Sequence, residues 1–172
     1  MQKRKCSDAL SNRIFEIISE ISVETAMPSY IVGGFVRDYL LGIKNDDIDI
    51  VVEGSGIDFA KSFSNKIGGK LYYYENYGTA MVKYNDLEIE FVGARKEMYE
   101  RGSRKPIVEK GTLYDDISRR DFTINTLAIS LNKHNYGELI DYFNGISDLD
   151  NKIIRTPLDP NITFSDDPLR IF

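Results

Sequence analysis

The sequence predicts an α+β fold in which a mixed sheet carries its helices on one face. Three observations lead there. Stretches with apolar residues at helical spacing alternate along the chain with short β-branched runs. Between Thr79–Tyr84 and Leu87–Val92, the pair Asn85–Asp86 makes a two-residue turn, which joins antiparallel neighbours. No internal repeat or low-complexity tract interrupts the 172 residues, a length that suits one domain.

Ile14, Ile17, Ile18 and Ile21 recur at helical spacing, so residues 8–26 open the chain as an amphipathic helix. Tyr30–Val32 reads as a short buried strand ending in Gly33–Gly34. Phe35–Leu41 resumes as a helix that Gly42 closes. "DDIDIVV" (46–52) alternates polar and β-branched residues, the mark of a strand, and 55–69 is a helix ending at its glycine pair. Leu71–Tyr74 is a strand whose tyrosines, with Tyr77, are expected to cover a sheet face. Residues 95–111 lose the apolar rhythm and collect charge, glycine and proline, which predicts a mobile loop. From Asp115 onward helix and short strand are mixed. Asp167–Pro168 pairs an N-cap with a proline at the first helical position, so a helix is expected to be starting where the sequence stops. The chain therefore reads as the N-terminal part of something longer.

The composition is that of an ordinary soluble domain, 42% hydrophobic and 28% charged. No apolar run approaches the roughly 20 residues that span a bilayer, and the basic N-terminus has no apolar segment behind it. A single cysteine, Cys6, excludes an intrachain disulfide and suits a reducing cytoplasm; it reads as an inert terminal residue. One cysteine and one histidine exclude a Cys/His zinc site, and His134 falls in a solvated turn. The net charge of −5 speaks against a stand-alone nucleic-acid binder but not against a divalent-metal enzyme. Residues 95–120 nevertheless hold eight Lys/Arg against five Asp/Glu, a local excess that suits a polyphosphate or RNA neighbour.

Within the strand 46–52, Asp47 and Asp49 lie two apart and share a face. Neighbouring carboxylates repel unless a cation neutralises them, and Mg²⁺ takes one or two carboxylates together with phosphates and water. The pair taken alone equally fits a charged strand edge that resists aggregation. Glu88 and Glu90 share a face of the strand 87–92, and either could add a third carboxylate, as two-metal phosphoryl transfer requires. The spacing does not choose between them. Gly33–Gly34, between strand and helix, exposes backbone N–H groups where phosphate oxygens bind, although it lacks the G-x-G-x-x-G and P-loop patterns. Arg37 leans back toward that turn, and Asp38 caps or bridges. "SRRDFTIN" sets Arg119 and Arg120 beside Asp121, an arrangement suited to bidentate phosphate contacts or to a charged helix start.

Taken in order, "VGGFVRDYLLG", "DDIDIVVEG", "YGTAMVKY", "LEIEFVGARKEMY", "RRDFTINTLAIS", "IDYFNGISDLDNKIIRTP" and "FSDDPLRIF" resemble the catalytic head of the bacterial tRNA nucleotidyltransferase / poly(A) polymerase family, class II CCA-adding enzymes in particular. The resemblance implies the nucleotidyltransferase-superfamily fold, with a five-stranded, largely antiparallel sheet. It divides the chain into an N-terminal helix (1–27), a head (28–160) and the start of a helical neck (161–172). It implies ATP or CTP as donor, Mg²⁺ as cofactor and the 3′ end of tRNA as acceptor, with pyrophosphate released. Asp47, Asp49 and Glu90 would be catalytic and metal-binding. Gly33, Gly34, Arg37 and Arg120 would contact the nucleotide, with Asp121 and Asn125 shaping its sugar pocket or the adjoining turn. Residues 95–111 match the head's flexible loop. The family reads base identity with a Glu-Asp-x-x-Arg element of the neck, which is expected beyond Phe172, as are the domains that hold most of the RNA. CCA, CC, A and poly(A) addition share this head. Transfer to a small hydroxylated molecule, as antibiotic-modifying enzymes perform, and a non-catalytic nucleotide-binding scaffold are the competing readings.

Overall fold

The computed structural model describes residues 4–98, 107–166 and 168–171. A 3₁₀ turn at Ser7–Leu10 precedes helix α1 (Arg13–Thr25), which Asn12 caps by accepting a hydrogen bond from the Ile14 N–H. Strand β1 (Ser29–Val32) leads through Gly33 into α2 (Gly34–Leu41). Next come β2 (Ile48–Val52), α3 (Gly56–Ile67), β3 (Lys70–Tyr74), β4 (Thr79–Tyr84) and β5 (Leu87–Gly93). Asn85, at φ +52°, supplies the left-handed residue of the β4–β5 turn.

These five strands are the ones the sequence announces, and the structure adds more. Strands β6 (Arg95–Met98) and β7 (Ile107–Lys110) pair as a separate hairpin, so the two flanks of the expected loop are ordered as strands. Its remainder, 99–106, lies outside the described residues. After α4 (Leu113–Ser118), β8 (Ala128–Ser130) and β9 (Leu139–Ile140) extend the main sheet to seven strands, in the order β3-β4-β5-β2-β1-β8-β9. At three and two residues they are too short for alternation to announce them. Helices α5 (Gly145–Asp150) and α6 (Pro160–Asp166) follow. The last described segment, Pro168–Ile171, is a 3₁₀ turn, and the expected cap Asp167 lies outside the described residues.

Every pairing in the sheet is antiparallel except β2 with β5. Ile31, Ile48, Ile50, Val82, Ile89, Phe91 and Ile129 point to one face. There they bury against Ile14, Phe15, Ile18 and Ile21 of α1 and against Phe59 and Phe63 of α3. The Phe59 and Phe63 rings pack on Phe91 at centroid distances of 5.6 and 5.1 Å. Cys6 is buried in this core, not idle at a terminus, and burial pushes its thiol pKa up. The opposite face is covered at one end, where Leu113 and Ile117 of α4 meet Val32, Val51 and Ala128. Its remainder, over β2, β5, β4 and β3, is open and carries exposed Tyr72 and Tyr74; the expected single face of tyrosines is divided, since alternation sends exposed Tyr73 to the other side and Tyr77 lies in the 3₁₀ turn Glu75–Tyr77 after the strand. No described helix is long and apolar enough to cross a membrane.

Candidate active site

The site forms on the open face, where β2 and β5 run side by side. Their register sets Asp49 directly opposite Glu90, both side chains on the face away from the main core. Asp47 lies just before β2, not within it. An Asx turn holds it, the Asp47 N–H donating to Asn45 Oδ1 at 2.8 Å. Asp47, Asp49, Glu88 and Glu90, with Ile48 and Met81, line a cavity of about 250 Å³. Larger hollows exist; the one of about 570 Å³ beside α1 lies behind the other sheet face, and of its glutamates, Glu16, Glu20 and Glu24, the last two are bridged by Lys66.

The glutamates of β5 differ in their neighbours. Glu88 pairs with Lys83 across β4–β5 at 2.5 Å, whereas Glu90 faces Asp49 and has no ion pair among the described residues. Loss of water raises the pKa of Asp49; the Arg120 charge opposes that shift and Asp47 adds to it. Partial burial also raises Glu90, with Asp49 contributing. Among the described residues no three acidic, His or Cys side chains are arranged to hold a metal ion by themselves.

The phosphate side is built around a glycine. Gly33 has φ +73° and ψ −132°, a conformation that side chains resist, and a Cβ there would lie 2.7 Å from an Arg120 Nη. Arg120 thus lies across the bend while its charge reaches Asp49. Asp116, only 2% exposed, holds Arg119 at 3.3 Å and Arg120 at 3.8 Å. The buried Arg120 Nε–H has no hydrogen-bond partner among the described residues. Helix α2 starts at Gly34 without a side-chain cap, leaving backbone donors at the same place.

A chain of hydrogen bonds ties the two halves together. Arg37 Nε donates to Asp38 at 2.7 Å and its Nη to Asn125 Oδ1 at 2.7 Å. Asn45 Nδ2 donates to the other Asp38 oxygen at 2.7 Å, and Asn125 Nδ2 to Asp121 at 3.0 Å. Asp121 also accepts from the Phe122 N–H, so its carboxylate orients Asn125 and the turn. Thr123, in that turn, is anchored to buried Asp148, which Arg155 also approaches at 3.2 Å.

The residues expected from the sequence, Gly33, Gly34, Arg37, Asp47, Asp49, Glu90, Arg120, Asp121 and Asn125, therefore surround one open face. Asn45 and Asp116 escaped the sequence reading. The Asn45-x-Asp47 spacing of an Asx turn and the i,i+3 and i,i+4 spacing of Asp116 to its arginines were the available signals.

A family model described as the poly A polymerase head domain matches residues 29–155. The A-adding tRNA nucleotidyltransferase of Geobacter sulfurreducens is 45% identical over 90% of this chain and 18% of its own length. The structure of a CCA-adding enzyme in an apo form superposes with a TM-score of 0.88 and 42% identity, over 99% of this chain and 42% of the other. A tRNA nucleotidyltransferase complexed with a primer tRNA and an incoming ATP analogue matches with a TM-score of 0.78 and 42% identity, over 90% and 42% of the two chains. The chain thus spans less than half the length of these relatives.

Proposed function

The chain belongs to the poly(A) polymerase head-domain family, and from that premise we propose that it adds CMP or AMP to the 3′ end of tRNA, taking CTP or ATP and releasing pyrophosphate. The observation that carries this reading is the facing pair Asp49–Glu90, with Asp47 at the same cavity and the Arg120–Gly33 bend beside it.

In this reading Gly34, Arg37 and Arg120 bind the triphosphate through backbone N–H groups of the α2 start and through guanidinium forks, while Gly33, whose own N–H donates to the Leu127 carbonyl at 3.1 Å, contributes the bend that lets the nucleotide approach. Asp121 and Asn125 keep Arg37 aimed, while Asp38 holds its other edge. Asp47, Asp49 and Glu90 are the residues that would hold Mg²⁺, and the fit rests on two features. Their oxygens are hard donors around one cavity, and desolvation together with Asp47 leaves the Asp49 charge poorly compensated. Mg²⁺ asks for only one or two carboxylates when phosphates and water complete its shell, so no finished protein cage is required. Bound there, the ion would supply charge neutralisation at the α-phosphate and the departing pyrophosphate. The chain's own residues orient the acceptor hydroxyl and the triphosphate in line; a bond from the 3′ oxygen to the α-phosphorus forms as the bond to pyrophosphate breaks, and the hydroxyl proton is released.

Residues 161–172 are proposed as the start of a neck, and the cytoplasm as the compartment, on the strength of the tRNA-directed relatives and the lone cysteine. The relatives do not favour a small-molecule acceptor. Calorimetry of ATP and CTP binding with and without Mg²⁺, alongside incorporation on a tRNA transcript, tests the proposal. Binding that depends on Mg²⁺ and is lost in Asp49→Ala is expected. Binding indifferent to the metal, with no incorporation, would overturn it in favour of a scaffold.

A further inference from the structure

In an in-line displacement the attacking oxygen and the leaving group lie on opposite sides of the phosphorus. The residues assigned to the triphosphate all sit at the β1/β8 end of the open face, since Gly33 follows β1 and Arg120 and Asn125 precede β8. An acceptor that approaches from the other end of the face crosses β4 and β3. That end of the sheet is not plain. Asp49, Glu90, Met81 and Tyr72 are consecutive register partners on β2, β5, β4 and β3, so their side chains form one row on one face. At about 4.8 Å per strand, Tyr72 stands roughly 14 Å from Asp49, a distance that roughly two to four nucleotides of single strand cover.

Met81 lines the carboxylate cavity and connects it to the tyrosine. Tyr74 lies two residues along on the same face, and Tyr72 and Tyr74 are 43% and 62% exposed. Lys70 and Lys83 are register partners in the adjoining row of that face. Lys83 Nζ, which Glu88 also holds, sits 5.9 Å from the Tyr72 centroid. Exposed aromatic rings on an edge strand are a liability for a protein left alone in water. Rings interleaved with lysines are what single-stranded nucleic acid uses, by base stacking and phosphate contact.

We propose that the β3–β4 end of the open face seats the single-stranded 3′ end of the acceptor RNA, with Tyr72 and Tyr74 as the stacking platform and Lys70 and Lys83 beside its phosphates. This rests on the nucleotidyl-transfer reading for the direction of approach, and it adds the place and the residues that receive the acceptor.

The test is binding of a dye-labelled single-stranded oligoribonucleotide ending in CC, followed by anisotropy in the absence of nucleoside triphosphate. A 4-thiouridine version of the same oligonucleotide is cross-linked and the modified peptide mapped. Tyr72→Ala and Tyr74→Ala should each weaken binding about tenfold, Tyr72→Phe should restore it, and the cross-link should fall within 70–84. Because both rings are exposed, the alanine variants should keep the parent's circular dichroism and its Mg²⁺-dependent ATP binding. An oligonucleotide affinity untouched by the double alanine variant, or a cross-link confined elsewhere, would overturn the proposal while Mg²⁺-dependent nucleotide binding still stood. Loss of that metal dependence in the unaltered chain would instead overturn the transfer reading, and with it the assignment of this end of the face to an acceptor. Binding of a second copy of this chain at the tyrosines, seen by sedimentation and abolished by the same substitutions, with no effect on RNA, would also refute it.

Discussion

Asp49 stands directly opposite Glu90 across the one parallel strand pair of the sheet, and among the described residues neither carboxylate has an ion-pair partner. Desolvation raises the pKa of both, so in the metal-free protein each holds its proton more tightly folded than unfolded. Their contribution to stability is fully present below the unfolded carboxylate pKa and is lost as pH rises through the raised folded values. Asp38 runs the other way. Its hydrogen bond from Arg37 lowers its pKa, so its contribution is present above the unfolded pKa and lost as pH falls through the folded value. Asp49→Asn should therefore raise the thermal midpoint of the metal-free protein at neutral pH. It should also abolish incorporation and remove the stabilisation that Mg²⁺ confers. Melting curves with and without Mg²⁺ across the acid-to-neutral range check this; a lowered midpoint in the variant would count against it.

Gly33 and Arg120 occupy one space from two directions. Gly33→Ala places a methyl group in a backbone conformation that costs about 1–3 kcal/mol and pushes the guanidinium aside. The expected outcome is a lower melting temperature together with weakened ATP binding in calorimetry. Gly42→Ala is the comparison, since its φ is +71° but no atom lies within reach of the added group. Its ψ of +20° is ordinary left-handed geometry that alanine adopts at a cost of about 1–2 kcal/mol, so it should lose less stability than Gly33→Ala and keep its nucleotide affinity.

Asn45 joins the arginine side of the site to the carboxylate side, donating to Asp38 and accepting from the Asp47 N–H. Asn45→Ala removes both bonds. A misplacement of a catalytic group costs rate steeply, so incorporation should fall by about tenfold or more with the fold retained. Asn45→Asp keeps the acceptor for Asp47 but turns the Asp38 contact into a repulsion. It should recover part of the loss in maximal rate while binding nucleotide more weakly than the parent. Steady-state kinetics separating the two constants distinguish this linkage from a merely structural asparagine, for which both variants would move stability alone.

Local chemistry was enough to announce much of this molecule. The glycine bend after Val32, the alternation of Ile48–Val52, the Asn85–Asp86 turn and the apolar stripe of α1 follow from residues within a few positions of one another, because backbone preference and side-chain period act over that range. The order of the motifs also identified the family. Pairing across the sheet decided the rest. It is set by buried surfaces that meet only after folding, so Tyr72 gives no sign in the sequence that it shares a row with Asp49. Nor could the spacing of Glu88 and Glu90 foretell that one would be occupied by Lys83 while the other faced Asp49. Strands β8 and β9, too short to show a period, exist because β1 offers β8 an edge to complete and β8 in turn offers one to β9.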